Sequence, residues 1–213
     1  METLNFKDCS RLILERKFGL VQVETHLLLN KWIEMSQDYM IDDIETSIMI
    51  KQQKQLIYRV DDWNEQELIE HFIAPMFSII NFNAEKYGMF SFRPMSCQIG
   101  DYMLTGKPDA VIAKGRREPE IPYFCFHEYK KELENAGDPV GQCLAAMLTA
   151  QALNDNNKPI YGVVVKGKYW EFVVLQGKEY AISNSYKSTD NELFEIVKLL
   201  KHLKTIIEEY VKS

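Results

Sequence analysis

Residues 106–130 read GKPDAVIAKGRREPEIPYFCFHEYK and contain two β-strand patterns separated by a polar turn. Residues 108–113 and 122–130 are mostly apolar and have the length of ordinary strands. The segment between them is charged and contains Gly115, which favours a turn. This part of the chain therefore predicts a pair of neighbouring strands in a sheet.

The second of these strands changes character at its end. Side chains alternate between the two faces of a strand, so we expect Glu128 and Lys130 on one face, together with Phe124 and Phe126. A carboxylate and an ammonium group that directly follow buried aromatic residues are well placed for polar chemistry. The end of this strand is therefore the candidate site.

Pairing of the two strands could also bring Asp109 beside Glu128. Two carboxylates in one cleft repel each other, and a divalent cation with oxygen ligands would relieve the repulsion. Lys130 could then hold a water molecule and stabilise charge on a phosphate. The simpler alternatives are a turn-forming role for Asp109 and an exposed ion pair between Glu128 and Lys130.

The chain divides into three parts by pattern, which together predict an α/β fold. Residues 1–57 are mostly helical, 58–185 alternate between helix and strand patterns, and 186–213 contain a long amphipathic helix. Asp138 before a proline is typical of a helix N-terminus within the middle part. We expect a core at 58–185 with an N-terminal helical extension and a C-terminal helix packed on it.

Three local signals within these parts are less definite. Asp62 and Glu65 have the spacing of a capping box and predict the start of a helix. Pro75 should bend or end that helix. Residues 20–23 fit a short strand as well as a helix.

Composition limits the class of protein. The chain has 213 residues, is 46% hydrophobic, carries a net charge of −6, and its four cysteines show no Cys-x-x-Cys spacing. No apolar run is long enough for a membrane span, and no secretory signal is evident, so we expect a cytoplasmic protein without membrane contact. The acidic charge disfavours nucleic-acid binding over the whole surface but allows a local basic cluster. The cluster predicted around the cleft comprises Lys107, Lys114, Arg116, Arg117, Lys130 and Lys131.

The pattern of Asp109, Glu128 and Lys130 resembles that of the PD-(D/E)xK nucleases, a superfamily of restriction-endonuclease-like phosphodiesterases. The segment 65–75 and the strand pair 160–175 look like the corresponding elements of the nuclease region of type I restriction subunits. The resemblance covers roughly residues 58–185. It implies a mixed central sheet flanked by helices, with a Mg²⁺ (or Mn²⁺) site at one end of the sheet.

The resemblance also implies a function and a set of site residues. The function is metal-dependent hydrolysis of nucleic-acid phosphodiester bonds, with DNA as the expected partner and restriction or repair as the setting. By this likeness Asp109, Glu128 and the Tyr129 carbonyl bind metal, Lys130 positions water, and Glu65 and Gln142 are accessory.

Several of these roles have alternatives. Glu67 and Glu70 lie on the same predicted helix as Glu65, and acidic residues are favoured in a first helical turn in any case. Gln142 could be an ordinary surface glutamine near a helix start. His127 points away from Glu128 in the strand and is interpreted as a packing or surface residue.

Two other function classes stay open. One is a catalytically inactive module that binds nucleic acid or protein on the same fold, and the other is a structural protein without a ligand. The chain is too short for a helicase motor and lacks a phosphate-binding Gly-x-x-x-x-Gly-Lys-Ser/Thr loop. The protein would therefore act alone, recruit a protein partner that supplies a motor or specificity, or have lost the role of the type I subunits. The amphipathic C-terminal helix leaves a homodimer open.

Overall fold

A computed structural model describes residues 1–132 and 137–212. The predicted α/β fold is confirmed: a mixed sheet is flanked by helices, and a long helix ends the chain. Residues 133–136 of the predicted core and Ser213 of the C-terminal part lie outside the described residues. The helices are α1 (Arg11–Phe18), α2 (Leu27–Ser36), α3 (Asp43–Arg59), α4 (Glu65–Leu68), α5 (Ala74–Ile80), α6 (Pro139–Asn154) and α7 (Glu192–Lys212). The strands are β1 (Glu2–Asn5), β2 (Val21–Gln22), β3 (Tyr87–Ser91), β4 (Met95–Ile99), β5 (Tyr102–Gly106), β6 (Ala110–Lys114), β7 (Glu120–Lys130), β8 (Ile160–Lys166), β9 (Tyr169–Gln176), β10 (Glu179–Ile182) and β11 (Tyr186–Lys187).

Two sheets are formed by the described residues. The larger has eight strands in the order β2-β10-β9-β8-β7-β6-β3, with β11 paired to β9. It is mixed, because β7 runs parallel to β8 and β2 parallel to β10, whereas the other pairs are antiparallel. The smaller sheet has the order β1-β5-β4. Strands β1 and β2 show that residues 1–57 contribute to both sheets as well as supplying α1, α2 and α3.

Helices cover both faces of the large sheet. One face packs against α2, α3, α5 and α7, and the indole N–H of Trp32 on α2 donates a 2.8 Å hydrogen bond to the carbonyl of Leu199 on α7. The other face packs against α1, α6 and the small sheet. The amphipathic stripe of α7 is buried in the first of these cores, including Leu193, Leu200 and Ile207. The sheet is thus the middle layer of a three-layer arrangement.

Helix α6 lies close against its neighbours at its N-terminus. Asp138 caps the helix by accepting a hydrogen bond from the backbone of Gly141, as its position before Pro139 predicted. Its second oxygen pairs with Arg11 at the start of α1. A Cβ atom on Gly141 would lie 2.6 Å from the carbonyl oxygen of Cys9, so only glycine fits this contact.

The helix that contains Pro75 does not end there. Residues 65–80 form one helical run in which a π-helical turn, Ile69–Ile73, precedes the proline. Pro75 therefore lies inside this run, directly after the π-helical turn, and not at a free helix N-terminus. The helix does not end at Pro75, and the π-helical turn beside it is an irregularity of the kind at which helices bend.

Two local expectations were wrong. The capping box at the start of α4 is formed by Asn64 and Glu67, not by Asp62 and Glu65. Phe124 does not share a face with Phe126, because an irregularity in the pairing of β6 with β7 turns Phe124 towards α7, where it stacks on Tyr210.

Residues 20–23 do contain a strand, β2. None of the described helices combines the length and the low polarity that a membrane crossing requires.

Candidate active site

The candidate site lies where β6 begins and β7 ends. The antiparallel register pairs Ala110 with His127, so Asp109, which precedes Ala110, comes next to Glu128. β7 then continues to Lys130 beside β8, after its pairing with β6 has stopped. The two predicted carboxylates are thus brought together at the end of a buried strand.

Asp109 is held by the backbone of β7. The residue is 8% exposed, and its Oδ2 atom accepts a 2.6 Å hydrogen bond from the backbone N–H of Tyr129. The carbonyl of Tyr129 in turn accepts a 2.9 Å hydrogen bond from Nζ of Lys130. Tyr129 therefore positions the acid through its N–H and the ammonium group through its carbonyl.

The ammonium group of Lys130 contacts two of the predicted acidic residues, Glu128 and Glu65. Its Nζ lies 2.7 Å from Oε1 of Glu128 and 3.3 Å from Oε2 of Glu65. With the Tyr129 carbonyl these contacts use all three N–H donors of the ammonium group. The Lys130 side chain is largely buried, so the three contacts fix its position.

Of the three acidic residues on the preceding helical run, Glu65 is the one that reaches Lys130. The Glu67 carboxylate accepts the backbone N–H of Asn64 at the N-cap, and Glu70 accepts a hydrogen bond from Gln66. Because Glu67 takes the capping role, the Glu65 side chain is available for Lys130. The structure therefore favours Glu65 over Glu67 and Glu70 as the acidic partner of Lys130.

Gln142 approaches the same place from the other side of the sheet. It lies in the first turn of α6, is buried, and lines a cavity of about 400 Å³ together with Glu128. Lys107 and Lys7 also line this cavity, which we call the lysine cavity. Gln142 is therefore buried and shares a cavity with Glu128, so it is not a surface glutamine.

Burial dominates the electrostatics of the two acids. Burial raises the pKa of Asp109 to about 6, and the nearby Glu65 adds to the shift, although the Tyr129 N–H and Lys130 oppose it. The pKa of Glu128 is raised by burial and then by repulsion from Asp109, again against the attraction of Lys130. The two carboxylates therefore carry an unrelieved repulsion that one ammonium group does not cancel.

The pKa of Lys130 shows the reverse balance. Burial alone lowers it, but the neighbouring carboxylates, Glu128 first, outweigh burial and hold it above its usual range. Lys130 is therefore a permanent cation and acts as an internal counterion for the acids.

The side chains of this site supply only part of the ligand shell that a hard cation such as Mg²⁺ requires. Within the described residues, no group of three or more His, Cys, Asp or Glu side chains could hold a metal ion. Mg²⁺, however, commonly uses one or two carboxylates and completes its shell with water and substrate phosphate. Asp109 and Glu128 with the Tyr129 carbonyl meet that minimum, provided that Lys130 releases the carbonyl and the carboxylate that it contacts.

The predicted basic cluster is divided by the hairpin. Lys114, Arg116 and Arg117 lie at the far end of the β6–β7 pair, since Lys114 pairs with Glu120 whereas the site lies beyond Ala110. They are therefore not part of the candidate site, which was wrongly expected to include them.

The lysine at position 7 was missed by the sequence reasoning. It follows β1, whose parallel pairing aligns Asn5 with Thr105 and so brings Lys7 near Lys107. No local signal connects the two residues, because the pairing spans about half the chain.

His127 is a packing residue, within the alternatives expected. It is fully buried on the opposite face of β7, and its ring meets that of Phe77 edge-on at 5.0 Å. Burial lowers the pKa of His127 to about 3, so the ring is neutral. It takes no part in the acidic cluster.

No protein-family model matches this sequence, and no curated protein is significantly similar to it. Its function must therefore be inferred from the geometry and charge of the site.

Proposed function

We propose that this protein is a metal-dependent nuclease of the PD-(D/E)xK type that hydrolyses phosphodiester bonds, with DNA as substrate. The observation that carries the proposal is the meeting of Asp109, Glu128 and Lys130 at the end of β7, with the two acids buried and destabilised. A pair of repelling carboxylates beside one lysine suits a site that binds a dication and a phosphate. We further propose a cytoplasmic role in restriction or repair.

The acids would hold the metal. Asp109 and Glu128 offer carboxylate oxygens, and the Tyr129 carbonyl offers a neutral oxygen between them. When bound, Mg²⁺ or Mn²⁺ supplies a Lewis acid and lowers the pKa of coordinated water. The hydrogen bond from the Tyr129 N–H keeps the Asp109 carboxylate oriented while it binds.

Lys130 would act on the water and the phosphate. An ammonium group freed from the Tyr129 carbonyl can donate hydrogen bonds to the attacking water and to a non-bridging phosphate oxygen. Glu65, at 3.3 Å, keeps Lys130 close while it exchanges these partners. Glu65 is thus a positioning residue for Lys130.

The phosphate backbone would approach through the lysine cavity. Lys7 and Lys107 supply positive charge beside Glu128, and Gln142 can donate its amide N–H to a phosphate oxygen. These two lysines provide a local attraction for phosphate. The net charge of −6 leaves little attraction for phosphate elsewhere on the surface. A protein partner or a second copy of the chain would add the affinity, motor or specificity that this site lacks.

Cleavage of supercoiled plasmid and of labelled oligonucleotides tests the proposal. We expect cleavage in Mg²⁺ or Mn²⁺ and none in EDTA. Lys130→Met and Asp109→Asn should each reduce the rate by about a hundredfold or more. Lys51→Met is the matched control, because Lys51 is an exposed lysine on α3, outside the predicted basic cluster, and its replacement should leave the rate unchanged.

Two results would count against the nuclease. One is an absence of metal-dependent cleavage on any DNA or RNA substrate, and the other is equal loss of activity in the Lys51→Met control. Circular dichroism of each variant shows whether a loss comes from unfolding.

A second function, a non-catalytic binding module, is favoured by one observation. Lys130 already forms an ion pair with Glu128 and a hydrogen bond with the Tyr129 carbonyl, so the negative charge of the site is partly neutralised without a metal. Calorimetric titration with Mg²⁺ separates the two functions: the nuclease predicts saturable binding that Asp109→Asn removes, and the binding module predicts no specific heat.

A further inference from the structure

A second cavity opens on the other side of Asp109. It has a volume of about 460 Å³ and lies between α5, the loop that follows it, and the edges of β3, β6 and β7. Asp109 and Tyr129 form its wall towards the candidate site. We call it the aromatic cavity, because Phe77, Phe82 and Phe92 line it.

The lining favours a flat, neutral group. The three phenylalanine rings and aliphatic side chains such as Ile69 and Ile73 make most of the wall. Among the described residues that line the cavity, none is a lysine or arginine. A phosphate would therefore meet no positive charge there and would be repelled by Asp109.

Phe92 at the rim is held in a costly conformation. It is 47% exposed, and its φ angle is +53°, a region that bulky residues rarely adopt. Neither exposure of the ring nor this backbone conformation stabilises the fold. A role in contact with a ligand would account for both.

Two asparagines in the wall have hydrogen-bond donors to offer. The side-chain oxygens of Asn81 and Asn83 accept backbone N–H groups, which leaves their amide nitrogens as donors for a ligand.

The two cavities flank the acids on opposite sides. The lysine cavity carries the positive charge beside Glu128, and the aromatic cavity carries the rings and amides beside Asp109. A nucleotide divides its chemistry in the same way, with an anionic phosphate and a flat base that has hydrogen-bonding edges. The volume of the aromatic cavity falls within the range of roughly 300–1,000 Å³ found for small-molecule sites.

We propose that the aromatic cavity receives one unpaired base of the DNA strand whose phosphate lies at Asp109 and Glu128. This inference rests on the proposed nuclease function and narrows its substrate to single-stranded DNA or to a nucleotide extruded from a duplex. Phe92 and Phe77 stack on the base, while the amides of Asn81 and Asn83 contact its edges. A base inside an intact duplex is paired and stacked, so it enters only at the cost of extrusion.

Fluorescence anisotropy in EDTA measures this base binding without cleavage. The probes are one labelled DNA strand, the same strand in a duplex, and an abasic strand of equal length. Wild type is expected to bind the single strand about tenfold or more tightly than the duplex or the abasic strand. Phe92→Ala should weaken single-strand binding by about five- to a hundredfold and leave abasic-strand binding unchanged.

Two further variants complete the test. Ala74→Trp fills the cavity from α5 without removing an aromatic residue and should cause the same selective loss. Tyr58→Ala, an exposed aromatic residue on α3 away from both cavities, is the control and should bind as wild type does. Circular dichroism verifies the fold of each.

Equal affinity for the base-bearing and abasic strands, or an unchanged single-strand affinity in both cavity variants, would overturn the inference. Base-selective binding without any Mg²⁺-dependent cleavage would uphold the base pocket and refute the nuclease. Cleavage without base selectivity would uphold the nuclease and refute the pocket.

Discussion

Replacement of Asp109 by Asn is expected to stabilise the metal-free protein, and more so as the pH rises. The side chain is buried next to Glu128, and burial is the main reason that its pKa is raised. Asn is neutral at every pH and nearly the same shape, and its carbonyl oxygen can still accept the hydrogen bond from the Tyr129 N–H. The variant therefore removes a buried charge without removing its backbone contact.

The size of the effect follows from the shift in pKa. The pKa of Asp109 rises from its ordinary value of 3.8 to about 6 on folding, so the folded state binds the proton more tightly than the unfolded state. The protonated side chain therefore contributes to the stability of the folded state. This contribution is complete below pH 3.8 and is lost as the pH rises through 6. At 1.36 kcal/mol per pKa unit, the unfolding free energy of wild type falls by about 3 kcal/mol as Asp109 ionises. The Asn variant does not ionise and keeps this stability.

Urea unfolding in EDTA at acidic and at alkaline pH measures this difference. Asp109→Asn should match wild type near pH 4 to within about 1 kcal/mol and exceed it by about 3 kcal/mol near pH 8. Asp101→Asn is the control, since Asp101 lies in an exposed turn and should show no such trend. A variant that is less stable than wild type at alkaline pH, or a difference that does not change with pH, would refute the electrostatic reasoning.

Three other predictions concern Asp109 and two residues of β7, Lys130 and His127. A hundredfold excess of Mg²⁺ over its dissociation constant should add about 3 kcal/mol to the unfolding free energy of wild type in urea and nothing to that of Asp109→Asn; an equal gain in both would place the ion elsewhere. Lys130→Met should lower stability in EDTA by about 3–5 kcal/mol, because Glu128 loses its counterion, yet bind Mg²⁺ more tightly than wild type in calorimetry, since the ion no longer displaces an ammonium group; weaker binding would contradict this. The pKa of His127, lowered to about 3 by burial, means that wild type loses stability as the pH falls below 6.5. His127→Phe should therefore move the acid-unfolding midpoint, followed by circular dichroism, to lower pH; an unchanged midpoint would show that other groups control acid unfolding.

The sequence was sufficient where the physical rule is local. Strand alternation placed Glu128 and Lys130 together, and strand pairing suggested Asp109 as their neighbour; the register bears out that proximity. The helix cap at Asp138 likewise follows from residue types at adjacent positions. In these cases the deciding interactions lie within a few residues or within one pair of strands.

The sequence was insufficient where local signals compete or where distant segments decide. Asp62 and Asn64 both have capping-box spacing, so the spacing alone does not show which glutamate is free to contact Lys130. Alternation alone could not reveal the strand irregularity that turns Phe124 away from the face of Phe126. Lys7 reaches the site only through the pairing of β1 with β5, and the aromatic cavity depends on α5 and β3 meeting β7.

The three contacts of Lys130 explain how the chain folds with two buried acids before any cation binds. An ammonium group 2.7 Å from Glu128 offsets part of the cost of burying that carboxylate, but it leaves the repulsion from Asp109 in place. Well-packed apolar residues would stabilise the end of β7 more effectively than this cluster does. The proposed binding of a charged ligand would account for a cluster that costs stability and that lies beside one cavity lined by lysines and another lined by aromatic rings.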